Sequence, residues 1–202
     1  MSSSSRLLGQ HLAAVRALLV LTVLLGLVYP LAVTGIGQLV FEHQANGSLV
    51  TSAGQAVGSS LLGQNATDAD GTPLPQWFQP RPSAAGRTGY DPTSSGASNL
   101  GPTNSDLLTA IAQRRTEIAA FNGVTVDQVP ADGVTASGSG LDPQISPAYA
   151  RLQVARVARA RGLDPATVRR LVDEHTQGRI LGFLGRPRVN VLELNVALRL
   201  LG

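Results

Sequence analysis

The chain of 202 residues contains no cysteine and no lysine. Without cysteine there are no disulfides, no thiolate metal ligands and no thiol nucleophile. Without lysine, a P-loop lacks the side chain that reaches the β- and γ-phosphates, and Schiff-base chemistry is excluded. Charged residues make up only 14% of the chain, whereas 22 glycines and 12 prolines indicate many turns. The length allows one domain of ordinary size with a smaller appendage.

The appendage is an uncharged run of 25 residues, 17–41. A helix of that length reaches roughly 38 Å, which exceeds a hydrocarbon core of about 30 Å. Because Arg6 and Arg16 precede the run, we predict a cytoplasmic segment at 1–16, a transmembrane anchor at 17–41 and an extracytoplasmic domain at 42–202. The alternative is a cleaved signal peptide, although its apolar region is usually shorter than this run.

One face of the predicted anchor carries small or polar residues at four-residue spacing. They are Thr22, Gly26, Pro30 and Thr34. Residues at this spacing share one side of a helix, where small side chains let another membrane helix approach closely. The alternative is that Gly and Pro are simply frequent in membrane helices. Pro30 is also expected to kink the helix or to mark its outer portion.

The exported region is predicted to be a helix-rich α+β domain. One strand is expected at 56–62 and a short buried strand at 133–137, while 76–104 is a long loop rich in proline, glycine and amides. Four helices are predicted from their caps and apolar spacing, at about 105–120, 147–161, 165–175 and 191–201. In the second of these helices, the apolar spacing places Ala150 and Val154 inward and Arg156 on the opposite, polar side.

Charge is segregated along the chain. Residues 51–146 carry four arginines and eight acids, whereas residues 147–202 carry ten arginines and four acids. A basic region can bind nucleic acid, but nucleic acid is not expected beyond a membrane, and no aromatic residues are interleaved with the arginines of the helices in this region. Two interpretations remain. Either the two regions pair with each other, or the basic region docks on an acidic partner or on lipid headgroups.

Few residues are candidates for catalysis. Only Ser137 or Ser139, with His175 and Asp142, offer the members of a hydrolase triad, and neither serine sits in a G-x-S-x-G turn. His175 beside a helix end is typical of a capping or core residue. No His or carboxylate pair has the four-residue spacing of a zinc helix. We therefore expect a chain that is not an enzyme and that holds no metal.

Residues 134–143 are unusually rich in small side chains. Ser137, Gly138, Ser139 and Gly140 allow close backbone approach, and successive amides in such a stretch can form an anion nest. The alternative is a strand followed by a tight structural turn. The sequence alone leaves both open.

Several motifs, in order after one N-terminal anchor, resemble the C-subunit family of the Kdp potassium-transporting ATPase. They are the segments 77–83 (WFQPRPS), 95–104 (SGASNLGPTN), 134–143, 145–147 (ISP), 153–158 (QVARVA), 175–179 (HTQGR) and 185–191 (GRPRVNV). The resemblance covers nearly the whole chain. It departs from the family at Gln144, where members often carry His, and at Ala97, where many carry Gly.

The resemblance implies a non-catalytic accessory subunit of a high-affinity, ATP-driven potassium uptake pump in the cell membrane. Members of the family assemble with a channel-like potassium-binding subunit, a P-type ATPase subunit and a small single-span subunit. They are needed for assembly and act as a catalytic chaperone that raises the affinity of the ATPase subunit for ATP. A Ser/Gly stretch linked to nucleotide contact corresponds here to Ser137–Gly140. We expect no tightly bound cofactor, and ATP only through the ATPase subunit.

Further residues of these motifs are predicted to contact other subunits or membrane lipid. They are Gln79, Arg81, Asn99, Asn104, Asp142, His175, Arg179, Arg188 and Asn190. The exported domain is expected to dock near the potassium entrance, where acids such as Asp91 and Asp142 raise the local cation concentration. The competing hypothesis is a free-standing exported enzyme or binding protein held by the anchor.

Overall fold

The computed structural model describes residues 3–201, and the chain divides into two compact units between Ser48 and Leu49. Residues 1–2 of the predicted cytoplasmic segment, the side chain of Arg6 and Gly202 lie outside the described part. The first unit is helical, and the second combines helices with short strands. This confirms a single N-terminal membrane-length helix followed by a helix-rich α+β region.

The first unit is dominated by one long apolar helix. It consists of α1 (Ser3–Val23), a π-helical turn (Leu24–Val28) and α2 (Tyr29–Val40), and the short α3 (Glu42–Ala45) follows it. Residues 7–40 of this helix are long and apolar enough to cross a membrane, and their side chains are exposed. The helix begins well before residue 17, the predicted start of the anchor, because the polar residues that precede the apolar run are also helical.

The π-helical turn lies immediately before Pro30. Pro30 has no N–H, and its ring crowds the carbonyl four residues earlier, at Gly26. The N–H of Tyr29 donates to the carbonyl of Leu24, five residues back instead of four. Such local π adjustments pair backbone groups that a proline would otherwise leave free. The irregularity expected at Pro30 is therefore a widened turn within a continuous helix.

The second unit opens with a β-hairpin. Strands β1 (Leu49–Ser52) and β2 (Gln55–Ser59) pair antiparallel, and Ala53 and Gly54 join them with φ angles of 51° and 78°. Two positive φ angles in a two-residue loop match the right-handed twist of the strands. The predicted strand at 56–62 is thus confirmed for its first part only. Strand β1 was not predicted, because alanine gives little signal for this type of turn.

Helices form most of the remaining domain. They are α4 (Ser105–Asn122), the single turn α5 (Ala131–Val134), α6 (Pro147–Arg161), α7 (Pro165–Glu174) and α8 (Val191–Arg199), with a 3₁₀ turn at Val126–Gln128. The side chains of Asn104, Ser146 and Asp164 cap α4, α6 and α7, while Gly123 and Gly162 end α4 and α6 in the left-handed conformation. The four predicted helices are confirmed, since these capping signals are local.

The predicted strand at 133–137 is wrong. Pro130 precedes a helical turn, α5, and the N–H of Thr135 donates to the carbonyl of Ala131 at 3.1 Å. Asp132 in this turn accepts hydrogen bonds from the backbone N–H and the hydroxyl of Ser146, at 2.6 and 2.8 Å. A strand would carry the Asp132 carboxylate away from the start of α6. Gly133 and Val134 are buried, as predicted, but by helical packing.

A small antiparallel sheet lies against the helices. Its order is β3 (Gln144–Ile145), β5 (Arg188–Asn190) and β4 (Thr176–Gln177), and Ile145 faces Val189 in the register. The main core packs these strands against α6, α7 and α8. Its fully buried side chains include Phe78, Val157, Val168, Val172, Val189, Leu194 and Leu198.

Candidate docking sites

The small-residue stripe lies on the exposed helix of the first unit. The structure places Thr22, Gly26, Pro30 and Thr34 on one continuous helix with exposed surfaces. A Cβ added at Gly26 would lie 4.0 Å from the Thr22 methyl carbon and would meet nothing closer. Thr22 and Gly26 are therefore neighbours on one face. Their contact with another membrane helix remains a prediction.

The long proline-rich loop is fixed by buried amide side chains. Gln153 on α6 is fully buried, and its amide exchanges hydrogen bonds with the backbone of Gln79, at 2.7 and 3.1 Å. The side-chain nitrogen of Gln79 donates to the carbonyls of Ala66 and Leu74 at 2.9 and 3.0 Å. Gln79, predicted to contact another subunit, therefore holds three segments of its own domain together.

Arg156 lies behind this loop and is only 5% exposed. Its guanidinium donates to the carbonyls of Pro75 and Trp77, to the Asn122 side chain and to Gln153 Oε1. The same group lies over the ring of Phe121, 4.4 Å from its centroid. Burial lowers the pKa of Arg156 to about 10, so the side chain stays charged at neutral pH.

The prediction that Arg156 lies on the polar side of its helix is wrong. Ala150 and Val154 are buried as predicted, and Arg156 is buried with them. Helical spacing alone assigns an arginine to the polar side because a buried charge is rare without partners. The signal that was available is Gln153, a second large polar residue three positions before Arg156, which places an amide within reach of the guanidinium.

Arg81 and Asp142 form a partly buried ion pair with an Nη1–Oδ2 distance of 2.9 Å. Arg81 Nη2 also donates to the carbonyls of Thr135 and Ala136, at 3.3 and 3.4 Å. The hydroxyl of Tyr90 donates to the carbonyl of Arg81 at 2.9 Å, and burial raises the pKa of that hydroxyl well above its usual range. This group of contacts joins the proline-rich loop to the chain around the Ser/Gly stretch.

The Ser/Gly stretch is bonded to the same loop through its carbonyls. The hydroxyl of Ser83 donates to the carbonyl of Gly140 at 2.6 Å. The hydroxyl of Ser95 and the N–H of Gly96 both donate to the carbonyl of Ser139, at 3.0 and 2.9 Å. Gly140 has a φ of 67°, and a Cβ there would lie 2.7 Å from the Gly96 carbonyl oxygen. The stretch is therefore a tightly packed turn.

Two amides of the predicted anion nest are engaged within that turn. The N–H of Gly140 donates to the carbonyl of Ser137 at 3.4 Å, and the N–H of Leu141 donates to the hydroxyl of Ser139 at 3.1 Å. Ser137 is buried, whereas Gly138 and Ser139 are exposed. These bonds favour the structural interpretation of the stretch. Nucleotide contact at Ser137–Gly140 remains a prediction.

Three further motif residues cap helices. Asn104 and Asn190 accept hydrogen bonds from backbone N–H groups in the first turns of α4 and α8. Asn190 also donates to the carbonyl of Ser60 at 2.8 Å. His175 ends α7, with its Nδ1 2.9 Å from the carbonyl oxygen of Leu171. His175 is thus a capping residue, as predicted, and each of the three has a structural role within the domain.

The two oppositely charged regions are not joined by ion pairs among residues 7–201. The pairs formed there are Arg81–Asp142, Arg151–Asp173 and Arg170–Glu174, each within one region. Hydrogen bonds from Arg156 to the backbone carbonyls of Pro75 and Trp77 join the regions instead. Within the same residues, no group of three or more His, Asp or Glu side chains is placed to hold a metal ion.

A hairpin between β4 and β5, here called the apolar hairpin (residues 180–184), was not singled out by the sequence. Ile180 and Leu184 form a bridge with two backbone hydrogen bonds of 3.0 and 2.9 Å. Leu181 is 80% exposed and Phe183 is 67% exposed, and the two bridge residues are also exposed. Arg179, a predicted contact residue, immediately precedes the hairpin. The available signal was an apolar cluster interrupted by glycine, which fits no buried helix or strand.

The remaining predicted contact residues differ in exposure. Asn99 is exposed in the proline-rich loop with a φ of 53°, and Arg179 is also exposed. Arg188, on the central strand β5, is half-buried. Their contacts with other subunits remain predictions.

Comparison with known proteins gives the family. Residues 11–199 match the family described as "K+-transporting ATPase, c chain". The chain is 58% identical over 195 residues to a potassium-transporting ATPase KdpC subunit of Kineococcus radiotolerans, covering 96% of this chain and 95% of that protein. The chain is 53% identical over 190 residues to the KdpC subunit of Mycobacterium tuberculosis, covering 94% of this chain and 97% of that protein. It is 54% identical over 193 residues to the KdpC subunit of Gemmatimonas aurantiaca, covering 94% of this chain and 92% of that protein. With one membrane-length helix ahead of an α+β domain, the chain belongs to the KdpC family of potassium-transporting ATPase subunits.

Proposed function

We propose that this chain assembles the potassium pump and supports ATP binding by its ATPase subunit, without itself catalysing a reaction. The observation that carries the proposal is the long helix at residues 7–40, whose apolar side chains are exposed. A lipid bilayer accounts for most of that surface, and the small stripe gives a partner helix a place to pack. The partners are a channel-like potassium-binding subunit, a P-type ATPase subunit and a small single-span subunit.

The proposed orientation follows from the arginines before the apolar run. Arg6 and Arg16 favour a cytoplasmic N-terminus, so residues 42–202 lie outside the cell membrane. The exported domain docks near the potassium entrance of the channel-like subunit. In this arrangement the Ser/Gly stretch and cytoplasmic ATP lie on opposite sides of the membrane. The chaperone effect on ATP binding therefore reaches the ATPase subunit through the assembled complex.

Asp91 and Asp142 are both expected to attract cations, but their carboxylates have different partners in the structure. Asp142 is paired with Arg81, which offsets its charge. The Asp91 carboxylate accepts hydrogen bonds from the N–H and hydroxyl of Thr93, at 2.9 and 2.7 Å, and these bonds lower the pKa of Asp91. Asp91 therefore remains ionised, and it forms no ion pair with an arginine among residues 7–201, so it is the acid that supports the proposed electrostatic role.

Co-purification tests the proposal. The full chain, tagged at its C-terminus and expressed with the other three subunits, is solubilised and isolated by its tag. We expect the ATPase and potassium-binding subunits to accompany it, and ATP affinity of the pump to fall when the chain is omitted. Migration of the chain alone favours the free-standing exported protein instead.

Orientation and nucleotide contact have separate tests. A topology reporter fused after Gly202 is expected to be active outside the cytoplasm, and cytoplasmic activity would reverse the assignment. Photolabelling of the assembled pump with an ATP analogue is expected to label the ATPase subunit. Label on Ser137–Gly140 would instead show that this chain contacts nucleotide directly.

A further inference from the structure

We propose that the apolar hairpin is the element that seats the exported domain on another subunit of the pump. The surface it recognises is an apolar crevice edged by carboxylates. This inference rests on the proposed function, because it needs a partner on the same side of the membrane. Beyond the proposed function, residues 180–184 and the arginines around them are assigned to the contact, and the partner surface is assigned its chemistry.

The first observation is the exposure of the hairpin. Ile180, Leu181, Phe183 and Leu184 are large apolar residues, and they are between 48% and 80% exposed. Single exposed apolar residues are ordinary, but a contiguous group edged by polar residues marks an interaction site. A subunit of a complex has neighbouring proteins available to cover such a group.

The second observation is that the hairpin has a fixed shape. Ile180 and Leu184 exchange two backbone hydrogen bonds, and Leu181 and Gly182 adopt positive φ angles of 53° and 81° at the tip. The hairpin connects β4 to β5, so both of its ends are held by the three-stranded sheet. A loop already ordered in its bound shape loses little conformational entropy on docking. This favours a shaped protein crevice over a fluid lipid surface.

The third observation is charge. Residues 175–192 contain Arg179, Arg186 and Arg188 and no acid. None of these three arginines joins an ion pair within residues 7–201. Arginine flanking an apolar centre is typical of protein interfaces, where guanidinium groups bind carboxylates at the edge. The partner surface is therefore expected to be acidic.

The fourth observation is a cleft at the base of the hairpin, with a volume of about 390 Å³ and a lining of both charged and apolar residues. Three arginines line it, Arg81, Arg186 and Arg188. The cleft also contains two acids that are already engaged, because Asp142 is paired with Arg81 and Asp132 accepts hydrogen bonds from Ser146. Arg186 is exposed and forms no ion pair within residues 7–201. A carboxylate on the partner can therefore bind its guanidinium without displacing a bond within the domain. Hairpin and cleft together form one surface with an apolar tip and a donor-rich edge.

Cysteine accessibility tests the inference, because the chain has no native cysteine. The variant Leu181→Cys is reacted with a membrane-impermeant maleimide, both alone in lipid nanodiscs and in the assembled pump. The matched control is Leu108→Cys, at an exposed leucine on α4. We expect labelling at 181 to slow at least tenfold on assembly and labelling at 108 to change less than twofold.

The alternatives give different results. If the pump assembles and position 181 stays equally reactive, the inference is wrong and the proposed function stands. If position 181 is already protected in the chain alone, the hairpin contacts lipid, or a second copy where protection rises with protein concentration, and the inference is again wrong. If the wild-type chain recruits no subunit, the proposed function fails and the inference falls with it.

Charge variants test the chemistry of the partner. Leu181→Asp is expected to lower the yield of co-purified subunits at least tenfold, and Leu181→Met to preserve it. Arg186→Glu is expected to lower the yield at least threefold, whereas Arg169→Glu, at an exposed arginine on α7, leaves it unchanged. Equal yields for Arg186→Glu and Arg169→Glu would overturn the acidic character of the partner. Leu181 and Arg186 are both exposed, so the thermal unfolding temperature of the chain should not change in these variants.

Discussion

At the scale of single residues, Arg156 and Tyr149 are large side chains with buried polar groups. Both are on α6, and both are buried. Arg156 donates hydrogen bonds to the carbonyls of Pro75 and Trp77, so the start of the proline-rich loop is held by a buried charge on α6. Tyr149 packs its ring against Gly133, where an added Cβ would lie 3.0 Å from the ring. Each leads to a prediction that a substitution can test.

The substitution Arg156→Ala is expected to lower the free energy of unfolding by about 3 kcal/mol, because it leaves several buried acceptors without a donor. Arg156→Lys should recover little, since an ammonium cannot reproduce the planar fork of the guanidinium. The control Arg159→Ala changes an exposed residue on the same helix. Denaturant unfolding of the full chain in detergent gives the comparison, and equal losses for the two alanine variants would contradict the prediction.

Because the Tyr149 hydroxyl is buried, we expect the free energy of unfolding to decrease at alkaline pH. Burial raises the pKa of Tyr149 from 10.0 to about 12. Below pH 10 the hydroxyl is protonated in both states, and its contribution is fully present. As pH rises from 10 to 12 the unfolded chain loses this proton first, so stability falls. The pKa of Arg156 is lowered, which acts in the opposite direction over this range, so the comparison must isolate the tyrosine.

Denaturant unfolding of the full chain between pH 9 and pH 11 provides that comparison. The substitution Tyr149→Phe removes the ionisable group, and the wild-type chain should lose stability relative to it as pH rises. Parallel pH profiles for the two chains would show that Tyr149 titrates normally.

At the scale of elements, the Ser/Gly stretch is a packed turn. Its carbonyls accept hydrogen bonds from Ser83, Ser95 and Gly96, so it acts as the point where the proline-rich loop is attached. The glycines within it are not equivalent. Gly140 has a positive φ and close neighbours, whereas a Cβ at Gly138 would meet nothing within 4 Å.

The substitution Gly140→Ala is expected to destabilise the domain by about 2 kcal/mol, from the left-handed backbone and the clash with Gly96. Gly138→Ala should change stability by less than about 0.5 kcal/mol. Thermal unfolding monitored by circular dichroism separates the two variants. If both are tolerated equally, the turn is looser than the structure shows.

The membrane helix permits an assembly test with little effect on folding. A Cβ at Gly26 meets only the Thr22 methyl carbon at 4.0 Å, and one at Gly35 meets nothing within 4 Å. Gly26→Leu is therefore expected to keep the helix but to reduce co-purified subunits at least fivefold, because it blocks close approach on the stripe. Gly35→Leu, off the stripe, should assemble normally. Full assembly of Gly26→Leu would show that the stripe does not pack against a partner.

At the scale of the whole molecule, charge is arranged by region while ion pairs stay local. Few arginines of residues 147–202 form ion pairs within the described residues, and the three that flank the apolar hairpin, Arg179, Arg186 and Arg188, form none there. The opposite sign predominates in residues 51–146, where Asp91 remains ionised. A domain with both surfaces can bind an acidic protein at one site and attract cations at another.

The substitution Asp91→Asn is expected to raise the apparent KM of the pump for potassium about twofold at low ionic strength, because it removes one negative charge near the proposed entrance. The effect should shrink as salt is added, since exposed charges are then screened. Glu117→Gln, at an exposed carboxylate on α4, serves as the control. Potassium-stimulated ATPase activity of the assembled pump is the measurement, and an unchanged KM would remove Asp91 from the proposed role.

The sequence by itself determined the features that depend on near neighbours in the chain. The membrane-length helix follows from an uncharged run, and the bounds of α4, α6 and α7 follow from Asn104, Ser146, Asp164 and the glycines that end two of them. The family resemblance also follows from short motifs in a fixed order, and the comparisons confirm it. These signals are readable because capping and apolar spacing act over a few residues.

Only the tertiary structure decided where the buried polar groups go. Arg156 looks like a surface residue until Pro75, Trp77 and Asn122 are brought around it from distant parts of the chain. The turn α5 replaces the expected strand because Asp132 binds the start of α6. The apolar hairpin stands exposed because the core of the domain is completed without it. A contact between residues far apart in sequence leaves no local periodicity, so it becomes visible only when the chain is folded.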